Sequence, residues 1–169
     1  MIPEQIDPTG LSDYLEIMTK AVFQAGVSWV LVDSKWDGFK RAFKNFDPSL
    51  IAAFGDDDIA QLMADSGMLR SRNKSVGTIN NAKTMLALEK EFGTFKSYLH
   101  SKKSYGELSA DIRKRFNYVR ELSVYYFLFW VNEPVPPFDD WIKTIKGYHP
   151  RMRDMVELPS QGIRGSSIS

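Results

Sequence analysis

The chain has no cysteine and only two histidines, His100 and His149, in 169 residues. The first absence excludes a disulfide framework and cysteine-ligated zinc. Together the two predict no metal site and no metal cofactor. Long hydrophobic runs are also missing. The most apolar segment, Val124 to Val131 (VYYFLFWV), is far shorter than a bilayer span and reads as a buried helix. The opening MIPEQIDPTG lacks the charged-then-apolar order of an export signal. The expected setting is therefore the cytoplasm, with no membrane partner. An excess of one charge is absent as well, the formal net charge being +1. Near-neutrality does not exclude nucleic acid, because a DNA binder needs only a local basic face.

Apolar and aromatic residues are plentiful, at 43% and 13% of the chain. That is enough for a real core, and the length suits one domain. Residues 1–158 read as a single helical domain and 159–169 (PSQGIRGSSIS) as a flexible, polar C-terminal tail. The hydrophobic period is helical nearly everywhere, and neither a repeat nor a convincing strand pair is visible, so the fold class is all-α. Leu11, Leu15, Met18 and Val22 mark a first helix ending near Gly26. A second runs from about Trp29 to Phe46 with Val30, Trp36, Phe39 and Phe43 inward. Asp47-Pro48 reads as an N-cap followed by proline at the first helical position. Asp56, Asp57 and Asp58 are read as charge on a helix N-terminus rather than as a metal cluster. A long helix is expected from about Lys74 to Glu91, closed by Gly93. Later helices are expected over about 108–115, 119–131 and 140–146, the last after a rigid connector at Pro134-Val135-Pro136-Pro137.

Three stretches carry a family resemblance. Gln24-Ala25-Gly26-Val27-Ser28-Trp29, after an amphipathic helix, resembles the QAGLSW element of the 3-methyladenine DNA glycosylase I family. Phe46-Asp47-Pro48, Gly67-Met68-Leu69-Arg70, Lys74 and Asn81-Ala82 resemble that family's FDP, GIIRxxxKI and NA elements in order and spacing. Phe127 to Trp130 with Pro137-Phe138-Asp139-Asp140-Trp141-Ile142 resembles another branch of the helix-hairpin-helix superfamily, related to endonuclease III and the inducible alkyl-purine glycosylase. There an apolar helix and a proline turn lead to a catalytic Asp-x-x-Ile. The chain also departs from the pattern. Ala21 stands where the first family places a base-recognising glutamate. Its zinc ligands are missing, and the late hairpin is Phe116-Asn117-Tyr118-Val119 rather than a glycine-rich turn.

The resemblance implies a helix-hairpin-helix glycosylase-like bundle of two lobes, acting as a monomer on double-stranded DNA with a damaged base. A glycosylase flips its base out of the duplex at a cost of a few kcal/mol. Gln24 and Val27 occupy the family's loop that fills the vacated stack, although Val27 can equally pack against the next helix. Trp29 matches the stacking tryptophan, with Trp141 a second candidate platform. Either ring can instead belong to the core. Asp139 matches the carboxylate that stabilises cationic sugar and orients water. A bare helix cap is the competing reading, with Asp140 as the cap if Asp139 is the catalyst. No lysine stands near Arg120-Glu121, where a Schiff-base lysine belongs, which implies a monofunctional enzyme. Arg70, Arg72 and Lys74, with Arg113, Lys114 and Arg115, are the candidate phosphate contacts, against the plainer reading of a solvated basic face. The implied activity is excision of alkylated purines. The alternative is a non-catalytic DNA- or lesion-binding protein on the same scaffold.

Overall fold

The computed structural model describes residues 5–145. Among these residues there is no strand, and the architecture is all-α as expected. No helix among them is long and apolar enough to cross a membrane. The expected polar tail from Pro159 lies outside the described residues, as do His149 and the end of the last expected helix.

The organising element is the late apolar helix, α9 (Glu121–Trp130), in which every residue from Ser123 to Trp130 is buried. A helix apolar on all faces must be surrounded. Helix α1 (Leu11–Gln24) packs along it, with Tyr14 set against Phe127 and Phe95. The segment before α1 clasps its end. The Ile6 N–H donates to the Trp130 carbonyl at 2.8 Å, and the Gln5 amide donates to the Phe129 carbonyl at 2.9 Å. Helix α8 (Tyr105–Arg115) covers another side of α9 and reaches it through residues 116–120.

The second expected helix is broken. It forms α2 (Trp29–Ser34), then α3 (Trp36–Ala42), then a 3-10 turn over Lys44–Phe46. Val30, expected inward, is 70% exposed: Trp29, Val32, Trp36, Phe39 and Phe43 are buried at helical spacing on one face, and Val30 falls on the opposite side of that stripe. Trp36 points inward as expected, where it stacks on Phe39 and Phe46 and donates its indole N–H to Glu16 at 2.8 Å. The turn is left-handed at three successive non-glycine residues, with φ of 53° at Lys44, 55° at Asn45 and 58° at Phe46. That conformation costs roughly 1–2 kcal/mol per residue. Burial of Phe43 and Phe46 in the aromatic stack offsets the cost.

Asp47 caps α4 (Pro48–Ala52) as read, accepting the N–H groups of Ser49 and Leu50. The three aspartates do open α5 (Asp56–Ala64). The long helix, α6, runs Arg72–Phe92, two residues earlier than expected at its start, because Ser71 caps it by accepting the Lys74 N–H. Gly93 follows it at φ 87°. Helix α7 (Phe95–Leu99) leads to α8, and α10 (Phe138–Ile142) ends the described chain. Helix α10 begins at Phe138 with Pro137 as its N-cap, so Asp139 and Asp140 both lie in its first turn. The expectation that Asp140 caps this helix is corrected: Pro137 already holds the capping position.

Helix α3 and the loop after α5 meet backbone to backbone. A Cβ built on Gly38 would stand 2.2 Å from the Gly67 carbonyl oxygen, which cannot move aside as a side chain could. Gly38→Ala is therefore expected to lower stability by about 1–3 kcal/mol through overpacking, as read by urea unfolding. An unchanged midpoint would show that α3 can slide away from Gly67.

Candidate nucleic-acid interface and base site

The loop after α1 is shaped by Gly26 at φ 76° and by the Val27 N–H donating to the Gln24 carbonyl at 3.0 Å. Ala25, Gly26 and Ser28 are exposed, while Val27 is half-buried against the core. Gln24 does not project from this loop. It is the last residue of α1, 8% exposed, and both polar atoms of its carboxamide are buried with no hydrogen-bond partner among the described residues. A buried polar group left so costs about 1–3 kcal/mol. The exposed apolar side chains nearest in sequence belong to Val30 and Leu31 on α2.

Trp29 opens α2 and is buried. Its ring stands edge-on to Trp130 at 4.8 Å and to Tyr126 at 6.3 Å. Tyr126 in turn stacks on Trp130 at 5.6 Å and on Phe138 at 6.4 Å. The Tyr126 hydroxyl and the Trp130 indole N–H are both buried without a partner among the described residues. Phe138 is the residue before Asp139, so a continuous run of rings leads from Trp29 to the first turn of α10. Asp139 is partly buried there. Burial pushes the neighbouring Tyr125 phenol up, and the Asp139 charge pushes it further. Tyr125 donates its hydroxyl to the Pro136 carbonyl at 2.6 Å and stacks on Trp141 at 4.2 Å. Trp141 is thus buried against Tyr125. Ala21 is buried on α1, and its methyl group brings no charge to that helix face.

The first basic cluster lies at the start of α6. Arg70 and Arg72 are exposed. Lys74 is half-buried, its ammonium donating to the Ala25 carbonyl at 3.4 Å and standing 5.8 Å from the centre of the Phe23 ring. Burial holds its pKa below the ordinary lysine value. Lys74 therefore braces the loop after α1. The second cluster is partly engaged within the protein. Arg113 pairs with Glu121 at 3.3 Å and Arg115 with Asp111 at 2.7 Å, whereas Lys114 is exposed.

The connection 116–120 is fastened to α6. The Asn117 N–H donates to Asn81 Oδ1 at 2.7 Å, and Asn81 Nδ2 donates to the Asn117 carbonyl at 3.2 Å. Asn81 is buried, and sequence reading alone did not mark it beyond its place in the NA element. A side chain joined to a backbone 36 positions away leaves no periodic signal.

Among the described residues there is no group of three or more histidine, cysteine, aspartate or glutamate side chains able to hold a metal. His100 is instead bonded to the buried Glu133 carboxylate, at 2.5 and 2.9 Å.

Asp111 supplies a pH test of the second cluster. Burial pushes its carboxyl up, but the Tyr98 hydroxyl at 2.5 Å and the Arg115 guanidinium outweigh that and hold it below its ordinary value of 3.8. A carboxyl depressed in the folded state adds stability above its unfolded pKa and loses it as pH falls through the folded value. Wild-type protein should therefore lose more stability between pH 5 and pH 2 than Asp111→Asn does, by thermal melting across that range. Parallel curves would remove Asp111 from the acid response.

Comparison with known proteins agrees with this geometry. A family model described as methyladenine glycosylase matches residues 9–126. DNA-3-methyladenine glycosylase 1 of Escherichia coli (strain K12) is 35% identical over 78 residues, covering 46% of this chain and 42% of that protein. The DNA-3-methyladenine glycosylase of Haemophilus influenzae is 40% identical over 78 residues, with the same 46% and 42% coverage. The matched region thus spans less than half the length of these curated relatives. A structure of 3-methyladenine DNA glycosylase I from Staphylococcus aureus superposes with a TM-score of 0.69 at 21% identity, covering 76% of this chain and 80% of that one. Another structure of 3-methyladenine DNA glycosylase I gives a TM-score of 0.65 at 26% identity, covering 75% and 81%. The matched residues run from ahead of α1 into α9, and the chain belongs to the methyladenine glycosylase family.

Proposed function

We propose that the protein is a monofunctional DNA glycosylase of base-excision repair, acting as a monomer in the cytoplasm on double-stranded DNA and hydrolysing the N-glycosidic bond of alkylated purines. The observation that carries this reading is the run of rings from Trp29 through Tyr126 to Phe138 and Asp139, with buried polar atoms of Tyr126 and Trp130 left without partners. An alkylated purine is cationic, and aromatic faces attract cations through their quadrupole. Departure of the base develops positive charge on the sugar. The Asp139 carboxylate stabilises that charge and orients the water that completes the hydrolysis. The alkylated base already carries its charge and leaves easily. A site with Ala21 in place of a carboxylate therefore suits such bases, and neutral bases, which need protonation first, are poor substrates.

DNA is held at the start of α6 and the end of α8. Arg70, Arg72 and Lys114 are exposed there to meet phosphates. Arg113 and Arg115 reach phosphate only by giving up their carboxylate partners, so they contribute less than the first three. Lys74 acts by bracing the loop.

The protein should free methylated purine from alkylated duplex without nicking the strand before alkali or heat, as followed by chromatography of free bases. Asp139→Asn should slow release about 10²-fold while binding survives. Arg70→Ala and Lys114→Ala should weaken binding to damaged and undamaged duplex alike and flatten its salt dependence, by anisotropy titration. The buried methyl of Ala21 favours one second reading, a lesion-binding protein without catalysis. Wild-type protein that binds alkylated duplex yet frees no base would establish that reading in place of the first.

A further inference from the structure

Tyr118 is held in place by more structure than its own burial justifies. Its backbone lies in the left-handed region at φ 60°, which bulky residues rarely adopt. Asn117 beside it is clamped through its backbone by the buried Asn81 side chain. A Cβ on Gly77 would stand 2.6 Å from Tyr118 Cδ2, so the ring lies where only a glycine leaves room. All three features fix the position of one ring, yet that ring remains 45% exposed. An aromatic ring fixed only to fill the core would be covered.

Its location gives the exposed face a partner. Lys74, Gly77 and Asn81 are three and then four residues apart, so they share one face of α6. Lys74 holds the Ala25 carbonyl, and Gly77 carries the Tyr118 ring. The loop after α1 and Tyr118 therefore stand side by side on the helix, offset by about 4.5 Å of rise. Exposed cations flank these positions in the chain: Arg72 on α6 two residues before Lys74, Lys114 on α8 four residues before Tyr118, and Arg120 two residues after it. A rigid aromatic face among cations beside a base-flipping loop suits a nucleobase, because every base offers a face for stacking. The connection also lacks the glycines that let a backbone approach phosphate closely. A side-chain ring is the contact it offers instead.

We propose that Tyr118 stacks on a DNA base at the break in the duplex, beside the Gln24–Val27 loop, and so favours duplexes with an interrupted stack. This rests on the DNA-glycosylase reading above. The test uses a duplex carrying a tetrahydrofuran abasic site opposite 2-aminopurine, whose fluorescence falls when it stacks on an aromatic ring. Wild-type protein should quench that fluorescence and prefer this duplex over an intact one. Tyr118→Asn, whose asparagine tolerates the left-handed backbone, should abolish the quenching and weaken binding to the abasic duplex about tenfold, with little change on intact duplex. Tyr118→Phe should behave as wild type. Tyr118→Leu, which keeps bulk without a ring, should resemble Tyr118→Asn, and thermal melting should place all three close to wild type. Equal quenching and affinity in wild type, Tyr118→Asn and Tyr118→Leu would overturn the assignment and leave the glycosylase reading standing. Wild-type protein that binds neither duplex at low salt would overturn both.

Discussion

Helix α9 has no face to offer solvent, and the rest of the structure follows from the need to cover it. Eight successive buried residues, from Ser123 to Trp130, require neighbours on every side. The chain supplies them from α1, α8, α10 and the segment ahead of α1. Covering α9 also brings distant parts of the chain together. Trp29 is placed by Trp130 and Tyr126, and Phe138 by Tyr126, so the burial of one helix defines where Trp29 and the first turn of α10 stand.

Not every polar atom in that core is satisfied. The Gln24 carboxamide, the Tyr126 hydroxyl and the Trp130 indole N–H are buried without partners among the described residues. A core built for stability alone avoids such groups, because each costs free energy comparable to a lost hydrogen bond. Among the described residues Ser75 on α6 and Tyr105 on α8 also carry such atoms; Tyr126 and Trp130 are the two whose rings touch Trp29, and Gln24 ends the helix leading into the loop before it. Other buried or half-buried polar groups are paired. Asp111 accepts from Tyr98 and Arg115, Glu133 meets His100, and Asn81 and Asn117 bond reciprocally.

Much of this was readable from the residues. The VYYFLFWV run could only be a buried helix, and Asp47-Pro48 could hardly be anything but a helix start. The ordered motifs alone point to the family. What could not be read is tertiary. Trp29 to Phe46 has the composition of one continuous helix, and nothing local reports the breaks at Lys35 and Phe43. The outward position of Val30 was legible from spacing alone, because Trp29, Val32, Trp36, Phe39 and Phe43 make one stripe and Val30 lies opposite it. Asp139 and Asp140 both match a helix start, and only the backbone at Pro137 shows which residue takes the cap. The basic run at Arg113, Lys114 and Arg115 looks uniform in sequence. Its members differ because Glu121 and Asp111 happen to lie beside two of the three.

The left-handed turn at Lys44, Asn45 and Phe46 has a bearing on how the molecule comes apart. Its backbone is tolerable only while Phe43 and Phe46 are locked among Trp36, Phe39 and Phe54. Should those rings separate, the turn gains by reverting to an ordinary conformation and has no local reason to re-form. Disorder that begins at this corner therefore sustains itself, whereas fraying at the Ser71-capped start of α6 can heal from its own hydrogen bonds. The corner between α3 and α4 is accordingly the place where amide exchange through partial opening should first outpace that of the neighbouring helices.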